Sequence, residues 1–173
     1  MAQPSIDDMT HQLTQHHMQQ SEKIETMYLT FPVEAELYGV AIAKVTEIVG
    51  LQRIMSVPDV PAYIKGVINL RGKVIPLMDI RLRFGLPEKD YDDRTVVIVL
   101  QIADAPIGLI VDGVNEVLDI PDDQIDRPRS YAPGDGGSLV KGLARLDDRV
   151  AIILEADLLV DTSEITLPQV ENV

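Results

Sequence analysis

The side chains that most often do chemistry are scarce in this chain and poorly placed for it. Among 173 residues there is no cysteine, and the three histidines, His11, His16 and His17, all lie near the start. With neither His nor Cys in the body, Ser-His and Cys-His nucleophile systems are absent. Adjacent histidines point in different directions and no carboxylate cluster frames these, so no metal site is expected there. Carboxylates are plentiful, but Asp92 and Asp93, Asp122 and Asp123, and Asp147 and Asp148 read as turn formers. The glycines within 130–138 neither follow a strand nor open a helix, so a phosphate cradle fails on context. No catalytic, cofactor-binding or metal-ligating residue is therefore expected, and the chain reads as a binding module. Its most unusual polar feature is a hairpin that carries Asn69 and Arg71 at the turn end. Arg71 could pair with an acid such as Glu47 or with a partner molecule. An exposed ion pair contributes only ~0–1 kcal/mol, so stability alone does not demand it.

The totals narrow the classes further. Fifteen basic against 28 acidic residues give a net charge of −13, which argues against nucleic acid as a partner. Hydrophobic residues make up 46% but aromatics only 4%, so the core must be Val, Ile and Leu, which favours strands. The lack of cysteine excludes disulfides and suits a reducing cytoplasm. No leading apolar segment reads as a signal peptide and no apolar run approaches ~20 residues, so membrane insertion is not expected.

The positioning elements follow from pattern. Residues 1–24 are polar and Gln/His-rich, and read as a flexible tail. Residues 27–31 alternate as a half-buried strand, with Tyr28 and Thr30 outward. Residues 37–40 form a second strand. Ile42, Val45 and Val49 have helical spacing, which predicts a short helix over 41–49 ended by Gly50. A third strand is expected over 51–57, stopped by Pro58 and Pro61. Two apolar runs, 67–70 and 74–77, meet at Arg71-Gly72 as a tight hairpin. Asp79 then caps a short helix carrying Ile80 and Phe84, and Gly85 ends it. After a charged linker, residues 95–102 are apolar on both faces and should be a central strand, with 107–111 returning. Residues 139–146 and 149–154 form another hairpin, 155–160 a last short helix, and 163–173 a C-terminal tail.

Two parts of the chain repeat two others. Gly39 to Val49 aligns without gaps on Gly108 to Leu118, an offset of 69 residues that sets Glu47 on Glu116. Lys65 to Leu82 aligns on Lys141 to Leu158, an offset of 76 that pairs Leu70 with Leu146 and Asp79 with Glu155. Two copies of a strand-rich unit, each able to close into a small barrel, are implied. The hairpin tips differ: Asn69-Leu70-Arg71-Gly72 aligns on Arg145-Leu146-Asp147-Asp148. A fold that accepts both does not require Arg71.

The stretches 38–48, 61–81 (with its Asn-Leu-Arg-Gly), 111–114 and 141–144 resemble the CheW family of bacterial chemotaxis coupling proteins. The resemblance runs from about residue 27 to 160 and implies a mainly β domain over 25–162. That domain would be two intertwined five-stranded SH3-like barrels with short helices, the first barrel about 27–86 and the second about 95–160. It implies a cytoplasmic, non-enzymatic adaptor without cofactors. Such an adaptor joins the cytoplasmic tips of transmembrane chemoreceptors to the histidine kinase CheA, and meets other coupling proteins in arrays. With no room for a kinase core or a receiver domain, a stand-alone coupler is implied. By the same resemblance, Val45, Glu47, Gly66, Asn69 and Arg71 belong to receptor binding, and Val114, Glu116 and Tyr131 to kinase or ring contact. The loop around Tyr131 departs from the family pattern in its glycines. The alternatives are a coupler for a chemotaxis-like pathway with another output, such as pilus motility, or a small-molecule-binding double barrel.

Overall fold

The computed structural model of the protein describes residues 24–127 and 139–161, together with Met9 and His11. The strands are β1 (Met27–Val33), β2 (Glu36–Ala41), β3 (Val45–Gly50), β4 (Ile64–Leu70), β5 (Lys73–Asp79), β6 (Val96–Ile102), β7 (Ala105–Val111), β8 (Val117–Asp119), β9 (Ile125–Asp126), β10 (Val140–Arg145) and β11 (Val150–Leu154). Two single-turn helices follow the second strand of a hairpin, α1 (Ile80–Arg83) after β5 and α2 (Ala156–Leu159) after β11. The Asp79 side chain caps α1 by accepting a hydrogen bond from the Arg81 amide at 2.9 Å.

The strands form two sheets, ordered β8-β1-β2-β11-β10-β9 and β3-β6-β7-β5-β4. The mainly β, two-sheet architecture expected from the sequence is present, and the repeat reappears in it. The β1–β2 hairpin corresponds to β6–β7, and β4–β5–α1 to β10–β11–α2. Both β4 and β10 shift register at equivalent glycines, Gly66 and Gly142. The barrel boundaries need correction, however. Segments 27–86 and 95–160 do not each close on themselves. The β1–β2 hairpin joins the sheet built from second-copy strands, and β6–β7 is inserted between β3 and β5.

The exchange rests on two parallel junctions. Leu77 of β5 faces Gly108 of β7, and Ile153 of β11 faces Gly39 of β2. These are the same pairing in the two copies. The glycines make room: a Cβ on Gly108 would lie 2.4 Å from a Leu77 methyl and 2.7 Å from a Val97 methyl.

Three apolar clusters follow from this layout. One lies between the sheets and takes Leu29, Phe31, Ile98, Leu100, Leu109 and Leu154. Each sheet also covers a smaller core, Tyr28, Ile120 and Ile153 in one and Ile68, Leu77, Val97 and Val99 in the other. Strand β6 sends Ile98 and Leu100 to the shared core and Val97 and Val99 to its own, which is why it reads as apolar on both faces. Each such side chain, fully buried, contributes about 1.5–3 kcal/mol.

Three other expectations change. Strand β1 is not half-buried: Tyr28 and Thr30 are as enclosed as Leu29 and Phe31, because the second face also meets a core. The helix over 41–49 is a 3-10 turn, Ile42–Lys44, followed by β3. Val45, Ile48 and Val49 are β-branched and pair along β6, and this tertiary pairing overrides the helical spacing. The strand over 51–57 reduces to a single bridge between Met55 and Val67. Pro58 and Pro61 supply no N–H to extend it.

Placing a methyl at the junction tests this architecture. Gly108→Ala is expected to lower unfolding free energy by about 1–3 kcal/mol in chemical denaturation. Gly50→Ala, where nothing lies within 4 Å of the added carbon, should stay within about 0.5 kcal/mol of wild type.

Candidate functional site

The β4–β5 hairpin turns on Arg71 and Gly72, with φ of 51° and 85°. Two consecutive left-handed residues make the tight turn that matches strand twist. Asn69 holds it closed, its Oδ1 accepting a hydrogen bond from the Gly72 amide at 2.9 Å. Asn69 is therefore first a turn residue, although its side chain lies at the surface. Arg71 does nothing comparable for the turn. Its side chain is 69% exposed and its guanidinium donates to the Glu47 carboxylate on β3. Strands β3 and β4 are the two edges of the five-stranded sheet, so this ion pair spans from one edge to the hairpin beside the other.

Around the pair lies an open concavity of about 1020 Å³, bordered by Thr46, Glu47, Asn69, Arg71, Gln101 and Asp104. All belong to β3, the β4–β5 hairpin, or the β6–β7 hairpin. The hollow thus sits on one sheet rather than along the seam between the two. It offers two cations, Arg71 and Lys73, of which Arg71 is fixed at the rim by an acid of the same rim. Nothing in it pairs a nucleophile with a base, and among the described residues no three His, Cys, Asp or Glu side chains group as metal ligands.

The other residues singled out from the sequence fall elsewhere. Val45 is half-buried and packs against the core between the sheets. Gly66 is buried with φ of 144°, and a Cβ there would lie 2.1 Å from the Met55 carbonyl oxygen. It lets segment 54–55 cross β4 and presents no surface of its own. Val114 and Glu116 are exposed on the segment before β8 and do not line the Arg71 hollow. The Glu116 carbonyl accepts from the Thr30 amide at 2.9 Å and hydroxyl at 2.6 Å, and its carboxylate is 3.8 Å from Arg149. Tyr131 lies outside the described residues, as do His16 and His17.

One polar group escaped the sequence reading. Arg81 of α1 is buried, and its guanidinium donates to both Glu34 and Asp112. The Asp112 hydrogen bond is the larger influence raising its pKa; Glu34 adds to it, and burial works the other way. Beside it, Tyr91 donates to the Asp79 carboxylate at 2.7 Å. Burial first, then that carboxylate, push the phenol well above its ordinary range. These partners lie 47 and 31 residues from Arg81, so no local pattern could reveal them.

Residues 27–164 match the family model for the CheW-like domain. The chain belongs to that family. A chemotaxis protein CheW of Klebsiella aerogenes is 36% identical over 152 residues, covering 88% of this chain and 90% of that protein. One from Bacillus subtilis is 32% identical over 133 residues, 77% of this chain and 85% of that one. The crystal structure of the scaffolding protein TtCheW from Thermoanaerobacter tengcongensis superposes with a TM-score of 0.71 at 35% identity, covering 79% of this chain and 88% of that one. The family assigned from the Asn-Leu-Arg-Gly region and the two-sheet architecture are therefore both established.

The two glycines of the hairpin should behave differently. Gly66→Ala is expected to cost more than about 2 kcal/mol, since both the Met55 carbonyl and the backbone conformation oppose it. Gly72→Ala meets no neighbour within 4 Å and should cost only about 1–2 kcal/mol for its left-handed conformation. Urea denaturation of the two variants measures both.

Proposed function

We propose that this chain is a non-enzymatic coupling protein of chemotaxis. It holds the cytoplasmic tips of chemoreceptors and the regulatory domain of the histidine kinase CheA in one complex, alongside further coupling proteins. Family membership supports the adaptor role, because relatives across most of the chain are chemotaxis proteins CheW and the matched structure is a scaffolding protein. Among the described residues, no helix is long and apolar enough to cross a membrane. The protein would work in the cytoplasm and reach membrane-bound receptors through contacts alone.

The observation that carries the receptor side is the exposure of Arg71 on a turn whose geometry other residues fix. Its exposed pair with Glu47 holds the guanidinium in place at small energetic value. A displayed, pre-positioned arginine is well suited to a protein contact, where Arg is enriched among the residues that dominate affinity. Glu47, Asn69 and Arg71 would form the receptor surface. Val45 would anchor β3 beneath it, and Gly66 would set the path of the strand that carries the hairpin. Val114, Glu116 and Tyr131 would serve the kinase or ring side.

Arg71→His and Glu47→Ala are expected to unfold at nearly the wild-type temperature while lowering receptor-dependent CheA activation about tenfold, the size of a moderate hot-spot loss. The measurement is kinase activity in a reconstituted mixture of receptor, CheA and each variant. Equal stimulation by variants and wild type would overturn the receptor surface.

A further inference from the structure

Arg81 is the only buried cation among the described residues. It springs from α1, at the end of the five-stranded sheet. One arm of its guanidinium, Nη1, donates to Glu34 in the β1–β2 turn of the other sheet. The second arm, Nη2, donates to Asp112, directly after β7. The Nε atom is buried with no hydrogen-bond partner, so the two arms alone hold the group. A buried ion pair is a poor source of net stability, because desolvation offsets its attraction. What a planar two-armed fork supplies is geometry.

Glu34 lines a second hollow, and Asp112 begins the segment that leads to one of its neighbours. This hollow, about 200 Å³, is lined by Pro32, Glu34, Glu36, Leu37, Arg149 and Val150. It is the repeat counterpart of the one at Arg71. Pro32 and Leu37 correspond to Gln101 and Pro106, and Arg149 and Val150 to Lys73 and Val74. Glu34 sits in it with φ of 54°, a conformation that costs a non-glycine residue energy and needs an anchor. Asp112 leads through residues 113–115 to Glu116, whose carboxylate lies 3.8 Å from Arg149, a residue that lines the hollow.

The two copies are not equally braced. The position matching Arg81 is Asp157, which pairs with Lys44 at 3.1 Å in the open, with side chains 49% and 39% exposed. The charge is reversed and the burial is lost. Among the described residues, only the second hollow has a buried clamp.

We infer that Arg81 is a positioning residue for partner contact at the second hollow: it clamps the 34–36 turn and the 112–116 segment into one rigid rim. For the identity of the partner this rests on the kinase-side assignment above; the clamp itself does not. With the clamp gone, the sheets stay folded on their apolar cores while the rim loosens.

Two measurements on the full chain test this. Arg81→Met removes both arms, and Glu34→Gln weakens one from an exposed position where folding is not at risk. Amide hydrogen exchange of the free protein should quicken about tenfold at 34–36 and 113–116 in both variants, with amides 67–70 and 73–77 within twofold of wild type. Unchanged exchange at the rim, or equal quickening throughout, overturns the clamp. In binding assays with the CheA regulatory domain and with a receptor cytoplasmic fragment separately, kinase-domain affinity should fall about tenfold and receptor affinity stay within twofold. A parallel loss of both, or a loss of neither, overturns the positioning role. If the wild-type chain binds no kinase domain, the partner assignment fails, and the exchange data still decide the clamp.

Discussion

The parallel contact of Leu77 with Gly108, and its repeat Ile153 with Gly39, is the constraint on which the rest of the molecule depends. Each joins a hairpin from one copy of the repeat to a hairpin from the other. Because the joining strands are parallel, no short turn could make the link, and the partner strand must come from elsewhere in the chain. Neither copy can then complete a sheet alone. The apolar cluster between the sheets, to which β1, β6 and β7 all contribute, is a consequence of that exchange. The Leu77 and Ile153 side chains lie over the glycines opposite them, where an added Cβ would be 2.4 Å from Leu77 at Gly108 and 3.0 Å from Ile153 at Gly39.

On this shared frame the two copies present different surfaces. At one tip Asn69 and Gly72 close the turn and leave Arg71 outward, against Glu47. At the other, Arg145 and Asp126 pair at the base, and Asp147 and Asp148 occupy the tip. Buried charge is distributed in the opposite sense, with Arg81 enclosed on one side and Lys44–Asp157 open on the other. A duplicated fold with divergent tips and braces suits a protein that must hold unlike partners at once.

Much of this was legible in the sequence, for local reasons. The Arg71-Gly72 turn, the Asp79 cap and the doubly apolar β6 each depend on residues within a few positions of one another. The repeat could be seen because its glycines and acids recur at fixed offsets. The errors share one cause. Val45 and Val49 matched a helical period by coincidence, and only pairing along β6 decides for a strand. Tyr28 and Thr30 looked outward-facing until a second core covered them. The exchange of hairpins leaves no mark in either copy by itself. Nor do the partners of Arg81, since a buried arginine and an exposed one look alike in a helical segment. The same limit applied to the site. The Arg71–Glu47 pair, one of two partners the sequence left open for Arg71, forms in the structure, and Gly66, expected near that surface, lies buried under Met55.

The central claim is that the Arg71 tip, and not its repeat counterpart, meets the receptor. Titrating the isotope-labelled chain with a receptor cytoplasmic fragment and following backbone amide shifts tests it most directly. The account predicts the largest changes at Glu47, at 69–73 and at Gln101 and Asp104, with little change at 34–36 and 147–150. Shifts concentrated at 34–36 and 147–150, with the Arg71 tip unmoved, would contradict it.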